Sequence, residues 1–255
     1  MAAAERLIDA LHARTGLICA VGAGGKKTTL YRLATLHPGR VALTSTVSIP
    51  PFPKDLPMPV IRDNHDRLLQ SLARAVDGRC IAYTQQSCKR GRFAGVPANV
   101  VQDIHEKLDF DVTFVKADGA RNRLIKAPAQ EEPQLPDKVT TVIAVVSARA
   151  INRPLDERIA HRIEQIERVT GVERGGLLTP SHVARLCTSE TGLLKDTGNA
   201  HVVPLINMVD DEKTRGLALA TAKEALRTSK RFDRIVLASM RRPDPIVEIV
   251  ERIRC

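Results

Sequence analysis

The stretch Leu17-Ile-Cys-Ala-Val21 runs directly into Gly22-Ala-Gly-Gly-Lys-Lys-Thr-Thr29, and that turn into the helix-like Leu30-Tyr-Arg-Leu-Ala-Thr-Leu36. Strand, glycine turn and helix start in this order bring backbone N–H groups, the positive end of a helix and lysine ammonium groups to one place. We read the turn as a triphosphate-binding loop in which Gly22, Gly24 and Gly25 supply backbone donors. Lys26 or Lys27 would stabilise the transferring phosphoryl group, and Thr28 and Thr29 bring hydroxyls to the same turn. The loop is tighter than the usual G-x-x-x-x-G-K-S/T, because Ala20 stands where the first glycine belongs and Lys27 where the hydroxyl residue belongs. A magnesium-binding hydroxyl then comes from Thr28, or Lys27 is itself the phosphate lysine; the spacing leaves both open. A glycine-rich turn that binds nothing is the plain alternative.

Around this loop, apolar runs rich in Val and Ile recur at 17–21, 41–47, 80–83, 112–117, 139–146, 202–209 and 235–238. Segments of helical period lie between them: Leu68, Leu69, Leu72, Ala73 and Val76, then Val100, Val101, Ile104 and Leu108, then Leu219, Ala222 and Leu226. The alternation predicts an α/β fold, an open and mostly parallel sheet with helices on both faces, P-loop NTPase-like, with ligands at the carboxyl ends of the strands. A chain of 255 residues, 43% hydrophobic, can bury a full core, and we expect one nucleotide-binding domain across it. Prolines at 50, 51, 53, 57 and 59 and at 128, 133 and 136 are read as loops leaving the edge that carries the glycine turn.

The other candidate residues fall after later strands. Hydroxyls in Thr44-Ser45-Thr46-Val47-Ser48 can hold a phosphate or a metal-bound water, although capping a turn is their commoner use. In Lys116-Ala-Asp-Gly-Ala-Arg121, Asp118 is the candidate acidic partner of magnesium beside Thr28, and Arg121 with Lys126 can bind a phosphate or an anionic substrate. Asp-Gly is also a common turn pair, and a solvated loop of mixed charge is the alternative for Arg121 and Lys126. Leu205-Ile-Asn-Met-Val-Asp210 echoes the N-K-x-D element by which GTPases read guanine, with Met208 in place of lysine, so Asn207 and Asp210 are candidate base contacts. Asp210 or Asp211 capping a helix over 212–227 accounts for part of that pattern. His161-Arg162 ends a charged, helix-like stretch from Asp156 and is read as surface.

A net charge of +10 and an isoelectric point near 9.7 suit a polyanionic partner. No Trp, two Tyr and five Phe argue against single-stranded nucleic acid, which needs stacking faces. Nothing approaches the roughly 20 apolar residues of a membrane span, and the start Met1-Ala-Ala-Ala-Glu-Arg6 lacks a signal peptide's character, so a cytoplasmic protein is expected. The scattered Cys19, Cys80, Cys88, Cys187 and Cys255 are read as reduced thiols. A dinucleotide-binding redox reading fails on spacing, since Lys27 stands where G-x-G-x-x-G needs its last glycine.

Four segments together resemble the YqeC family, accessory proteins of selenium-dependent molybdenum hydroxylases. They are Gly22 to Ala34, Ala117-Asp-Gly-Ala-Arg-Asn-Arg-Leu-Ile-Lys-Ala-Pro128 with Glu132-Pro133, Arg153-Pro-Leu-Asp156 with His161-Arg162, and Leu205 to Asp210. The chain departs from the family's habit at Lys27, usually Thr or Ser, at Lys116, often Glu, at Glu131, frequently His, and at Met208, frequently Lys. The resemblance implies binding of ATP or GTP with Mg2+ during maturation of a selenium-containing cofactor. It also implies partnership with a molybdenum hydroxylase or other maturation proteins. A scaffold or switch that binds nucleotide without hydrolysing it is the competing expectation.

Overall fold

A computed structural model describes residues 3–75 and 78–252; Val76 and Cys255, named above, lie outside them. The first strand, β1 (Gly16–Gly22), sends Leu17, Cys19 and Val21 into one hydrophobic core and Ile18 and Ala20 into a second. Burial on both faces is the reason it reads as an unbroken apolar run rather than an alternating one.

The other strands of that sheet are β2 (Val41–Ser45), β3 (Val60–Asp63), β4 (Cys80–Gln85), β5 (Val112–Lys116), β7 (Val139–Ser147), β9 (His201–Asn207), β10 (Arg234–Ala238) and β11 (Ile246–Glu251). Their order is β11-β10-β9-β7-β1-β5-β2-β4-β3, parallel throughout except for the β10–β11 pair. Helices α1 (Ala3–Ala10) and α2 (Lys26–Leu36) cover one face. The other face carries α3 (His65–Ala75), α4 (Ala98–Lys107), α5 (Ile163–Thr170), α6 (Pro180–Thr188) and α7 (Glu212–Thr228). Two short strands, β6 (Ile125–Lys126) and β8 (Ala160–His161), pair in parallel apart from the main sheet.

The chain leaves β1 towards β2 on one side and leaves β7 towards β9 on the other, so the connections of these two neighbouring strands diverge. Such a divergence opens a crevice at the carboxyl ends of the strands. The glycine turn lies there. The α/β architecture and every strand expected from an apolar run are present, with β2 ending at Ser45 and β9 at Asn207.

Four strands carried no sequence signal. The two edge strands, β3 and β11, are only half-buried, and β6 and β8 have two residues each. The stretch from Asp156 is not helical: Asp156 Oδ1 accepts the N–H groups of Arg158 and Ile159, and the turn feeds β8 before Arg162 opens α5. Pro136 sits in the turn that enters β7, at the edge opposite the glycine turn, so that proline cluster does not all mark one edge. Asp211, rather than Asp210, caps α7: its carboxylate accepts the Thr214 N–H at 2.7 Å and its own N–H donates to the Thr214 hydroxyl oxygen at 3.1 Å.

Candidate functional site

The glycine turn divides its amides in two. The Gly22 N–H donates to Asp118 Oδ2 at 2.9 Å, the Ala23 N–H to the Val145 carbonyl at 2.9 Å and the Gly24 N–H to the Arg123 carbonyl at 3.1 Å. Gly22 and Gly24 therefore do not offer donors to a ligand as expected; their N–H groups hold the turn to β5 and β7. The N–H groups of Gly25, Lys26, Lys27 and Thr28 have no acceptor among the described residues and form the open first turn of α2. Gly25, at φ +123°, is strained by any side chain, and a Cβ there would overlap the Asn207 amide.

Lys26 turns inward. It is 4% exposed, donates to the Gly22 carbonyl, and its Nζ lies 2.7 Å from Asp118 Oδ1. Asp118 Oδ2 faces Lys126 Nζ at 3.1 Å, and Lys126 reaches on to Glu132 Oε2 at 2.6 Å and to the Gly119 carbonyl at 2.7 Å. Arg162 Nε closes the chain at 3.3 Å from the same Glu132 oxygen. Burial works to raise the Glu132 carboxyl, but its bonds to Lys126 and the Ala129 N–H and the Arg162 charge outweigh it and hold the group down at about 2. Lys126, expected to meet a phosphate, is thus a buried counter-ion beneath the site. Burial pushes the Lys26 amine down, against the pull of Asp118.

Above this network lies a cavity of about 690 Å³, open to solvent and lined by Gly25, Lys26, Lys27 and Thr28 from the start of α2, Lys116 and Gly119 after β5, Arg121, Glu132, His161, Arg162 and Met208. Its charge is strongly positive. Lys27 and Arg121 face it; Arg121 makes no hydrogen bond or ion pair among the described residues and Thr28 is exposed with its hydroxyl unpartnered. Thr29 is buried instead, bonded to the Gly25 carbonyl at 3.1 Å. His161 is held down at about 4 by burial and by the charges of Lys126, Arg162 and Arg121, so it is a neutral imidazole at pH 7.

Lys116 was not among the expected site residues, and its position at the end of β5 makes it one. It is 7% exposed, lines the cavity, and forms no hydrogen bond or ion pair through its amine among the described residues. Burial, with Lys26, Lys126 and Arg92 nearby, pushes that amine down to about 7, with Asp118 pulling the other way. The sequence showed only a basic residue where the preceding strand was apolar, which is a weak signal.

The residues expected to read a base are engaged elsewhere. Asn207 Nδ2 donates to the Gly24 carbonyl at 2.9 Å and its Oδ1 accepts the Met240 N–H at 3.3 Å, so the side chain ties β9 to the glycine turn. Asp210 binds Arg149 at 2.6 Å and accepts from the Ser239 hydroxyl at 2.6 Å, beside a pocket of only about 60 Å³. Met208 and Thr28 line both that pocket and the large cavity. The hydroxyls at the end of β2 and just beyond it are bonded within the protein: Thr44 donates to the Tyr83 carbonyl of β4 at 2.8 Å, Ser45 to the Val47 carbonyl at 2.7 Å and Thr46 to the Gln134 carbonyl at 2.8 Å.

Magnesium needs several hard oxygen ligands. Thr28 can supply one. Asp118, the other expected ligand, already faces two ammonium groups and one backbone N–H, and no group of three or more His, Cys, Asp or Glu residues among those described can hold an ion. The donor set does not fit a magnesium ion fixed by the protein.

The fold and site define an α/β protein whose glycine turn opens onto a basic cavity. The chain belongs to the YqeC family: the family described as "YqeC protein" matches residues 18–164. It is similar to the "Uncharacterized protein YqeC" of Escherichia coli (strain K12), 26% identical over 186 residues that make up 72% of each chain. The match takes in the glycine turn, Lys116, Asp118, Lys126, Glu132 and His161. Among the described residues no helix is long and apolar enough to cross a membrane.

Proposed function

We propose that this protein binds a nucleoside triphosphate, ATP or GTP, with its phosphates on the start of α2. The observation that carries the reading is the meeting of four unpaired N–H groups, Gly25 to Thr28, with a cavity lined by Lys26, Lys27, Lys116 and Arg121. Amides at a helix start favour an anion through both hydrogen bonds and the helix dipole. The cavity's volume of about 690 Å³ falls in the usual range for small-molecule sites, about 300–1,000 Å³. The family resemblance supports placing this binding step in maturation of a selenium-containing cofactor of molybdenum hydroxylases, with the hydroxylase or another maturation protein as partner.

Hydrolysis of the bound nucleotide is the first reading of its use. A nucleotide-dependent switch without turnover is the second, and one observation favours it: Asp118, the carboxylate nearest the turn, is neutralised by Lys26 and Lys126 and is not free to act as a base. Thermal unfolding tests the binding step. A ligand at about 100 times its Kd adds about 2.7 kcal/mol, so ATP or GTP raises the melting temperature by several degrees, and Lys27→Ala with Arg121→Ala removes the rise. No rise with either nucleotide, with or without magnesium, refutes the proposal. Phosphate release by the purified protein, alone and with its hydroxylase, separates the two readings.

A further inference from the structure

Resting on the nucleotide reading, we infer that the cavity takes its polyphosphate as the free anion, with Lys116 standing in for the divalent cation that such ligands ordinarily bring. Two independent features of the site lead there. The first is the donor set just described: the one carboxylate at the end of β5 near the turn has Lys26 at 2.7 Å on one oxygen and Lys126 at 3.1 Å on the other. A cation placed beside it would meet two ammonium groups at close range, and like charges in a buried setting repel strongly.

The second is Lys116 itself. Long amines are rarely buried without a partner, because a desolvated cation is costly unless something negative compensates it. Lys116 is 7% exposed, its amine makes no hydrogen bond or ion pair among the described residues, and it lines the cavity that opens on the free amides of α2. Glu132, the carboxylate that shares the cavity, is already bonded to Lys126 and Arg162. Asp118 pulls on this amine but is already shared by Lys26 and Lys126, so the charged form of Lys116 is under-compensated within the protein and an anionic ligand supplies the remainder. A phosphate seated on the Gly25–Thr28 amides lies in the same cavity as this amine, Lys27 and Arg121. A ligand already complexed with magnesium carries less negative charge to meet these groups and brings a cation among them.

Isothermal titration with ATP and with inorganic triphosphate, each in EDTA and each in excess magnesium, tests this directly. The expected result is binding in EDTA that is at least as tight as in magnesium. Losing a charge-assisted contact, Lys116→Met weakens the EDTA affinity by about tenfold or more. The same variant keeps or raises its unfolding midpoint without ligand, since an apolar side chain of similar length replaces an under-compensated buried amine. Wild-type binding that requires magnesium overturns this inference while leaving the nucleotide reading intact, and so does an unchanged EDTA affinity in Lys116→Met. Absence of binding by either ligand in either condition brings down both.

Discussion

Replacing Lys126 by Met removes the middle charge of the buried chain Lys26–Asp118–Lys126–Glu132–Arg162 while keeping most of the side chain's volume. Lys126 is 1% exposed, and its Nζ stands 3.1 Å from Asp118, 2.6 Å from Glu132 and 2.7 Å from the Gly119 carbonyl. Without it two buried carboxylates are left with Lys26 and Arg162 alone. Breaking a buried pair from one side typically costs about 3–5 kcal/mol, because the surviving charge stays desolvated. At about 2–4 °C per kcal/mol for a chain of this size, the melting temperature falls by about 6–20 °C. Urea unfolding at pH 7 measures the loss, and Glu132→Gln in the same chain should recover at least about 1 kcal/mol of it, since one of the stranded charges is gone. A loss under about 1 kcal/mol, or no recovery in the double variant, would refute the view that Lys126 is a counter-ion rather than a ligand-facing residue.

The Glu132 carboxyl is held at about 2 against an ordinary 4.5. Its folded pKa is depressed, so its contribution is complete above about pH 4.5 and is lost as pH falls towards 2, amounting to about 3 kcal/mol over that window; Glu132→Gln should flatten the acid limb of stability measured by urea midpoints. Gly25→Ala forces a Cβ into the Asn207 amide at φ +123°, and nucleotide-induced stabilisation should disappear together with roughly 1–3 kcal/mol of intrinsic stability, read by thermal unfolding. Asn207→Leu removes the bonds to the Gly24 carbonyl and the Met240 N–H; it should cost about 1–3 kcal/mol and weaken ATP and GTP equally. A selective loss of GTP binding would instead make Asn207 a base reader.

The elements of the central sheet were legible because each is buried on both faces and so carries a continuous Val- and Ile-rich run, as β1, β7 and β9 do. The edge strands were not, since half-exposed β3 and β11 mix charged residues with apolar ones. The helix-like reading of 156–162 failed because the Asp156 carboxylate captures two local N–H groups and stabilises a turn in place of a helix. At the turn, the glycines and the two lysines that begin α2 stood out because they lie between an apolar strand and a helical segment.

Local order along the chain was enough to specify a strand, a glycine turn and a helix start, because those depend on neighbours within a few residues. It named Lys26, Lys27 and Asp118 together, yet it could not say which lysine points at solvent and which at a carboxylate. That was decided by packing between distant segments: β5 delivers Asp118 beneath the turn, the connection after it returns Lys126 and Glu132 to the same spot, and β9 supplies Asn207 to the Gly24 carbonyl. Charges at a sheet's edge acquire their roles from what burial places within about 4 Å of them, and burial is a property of the assembled sheet rather than of any stretch of residues.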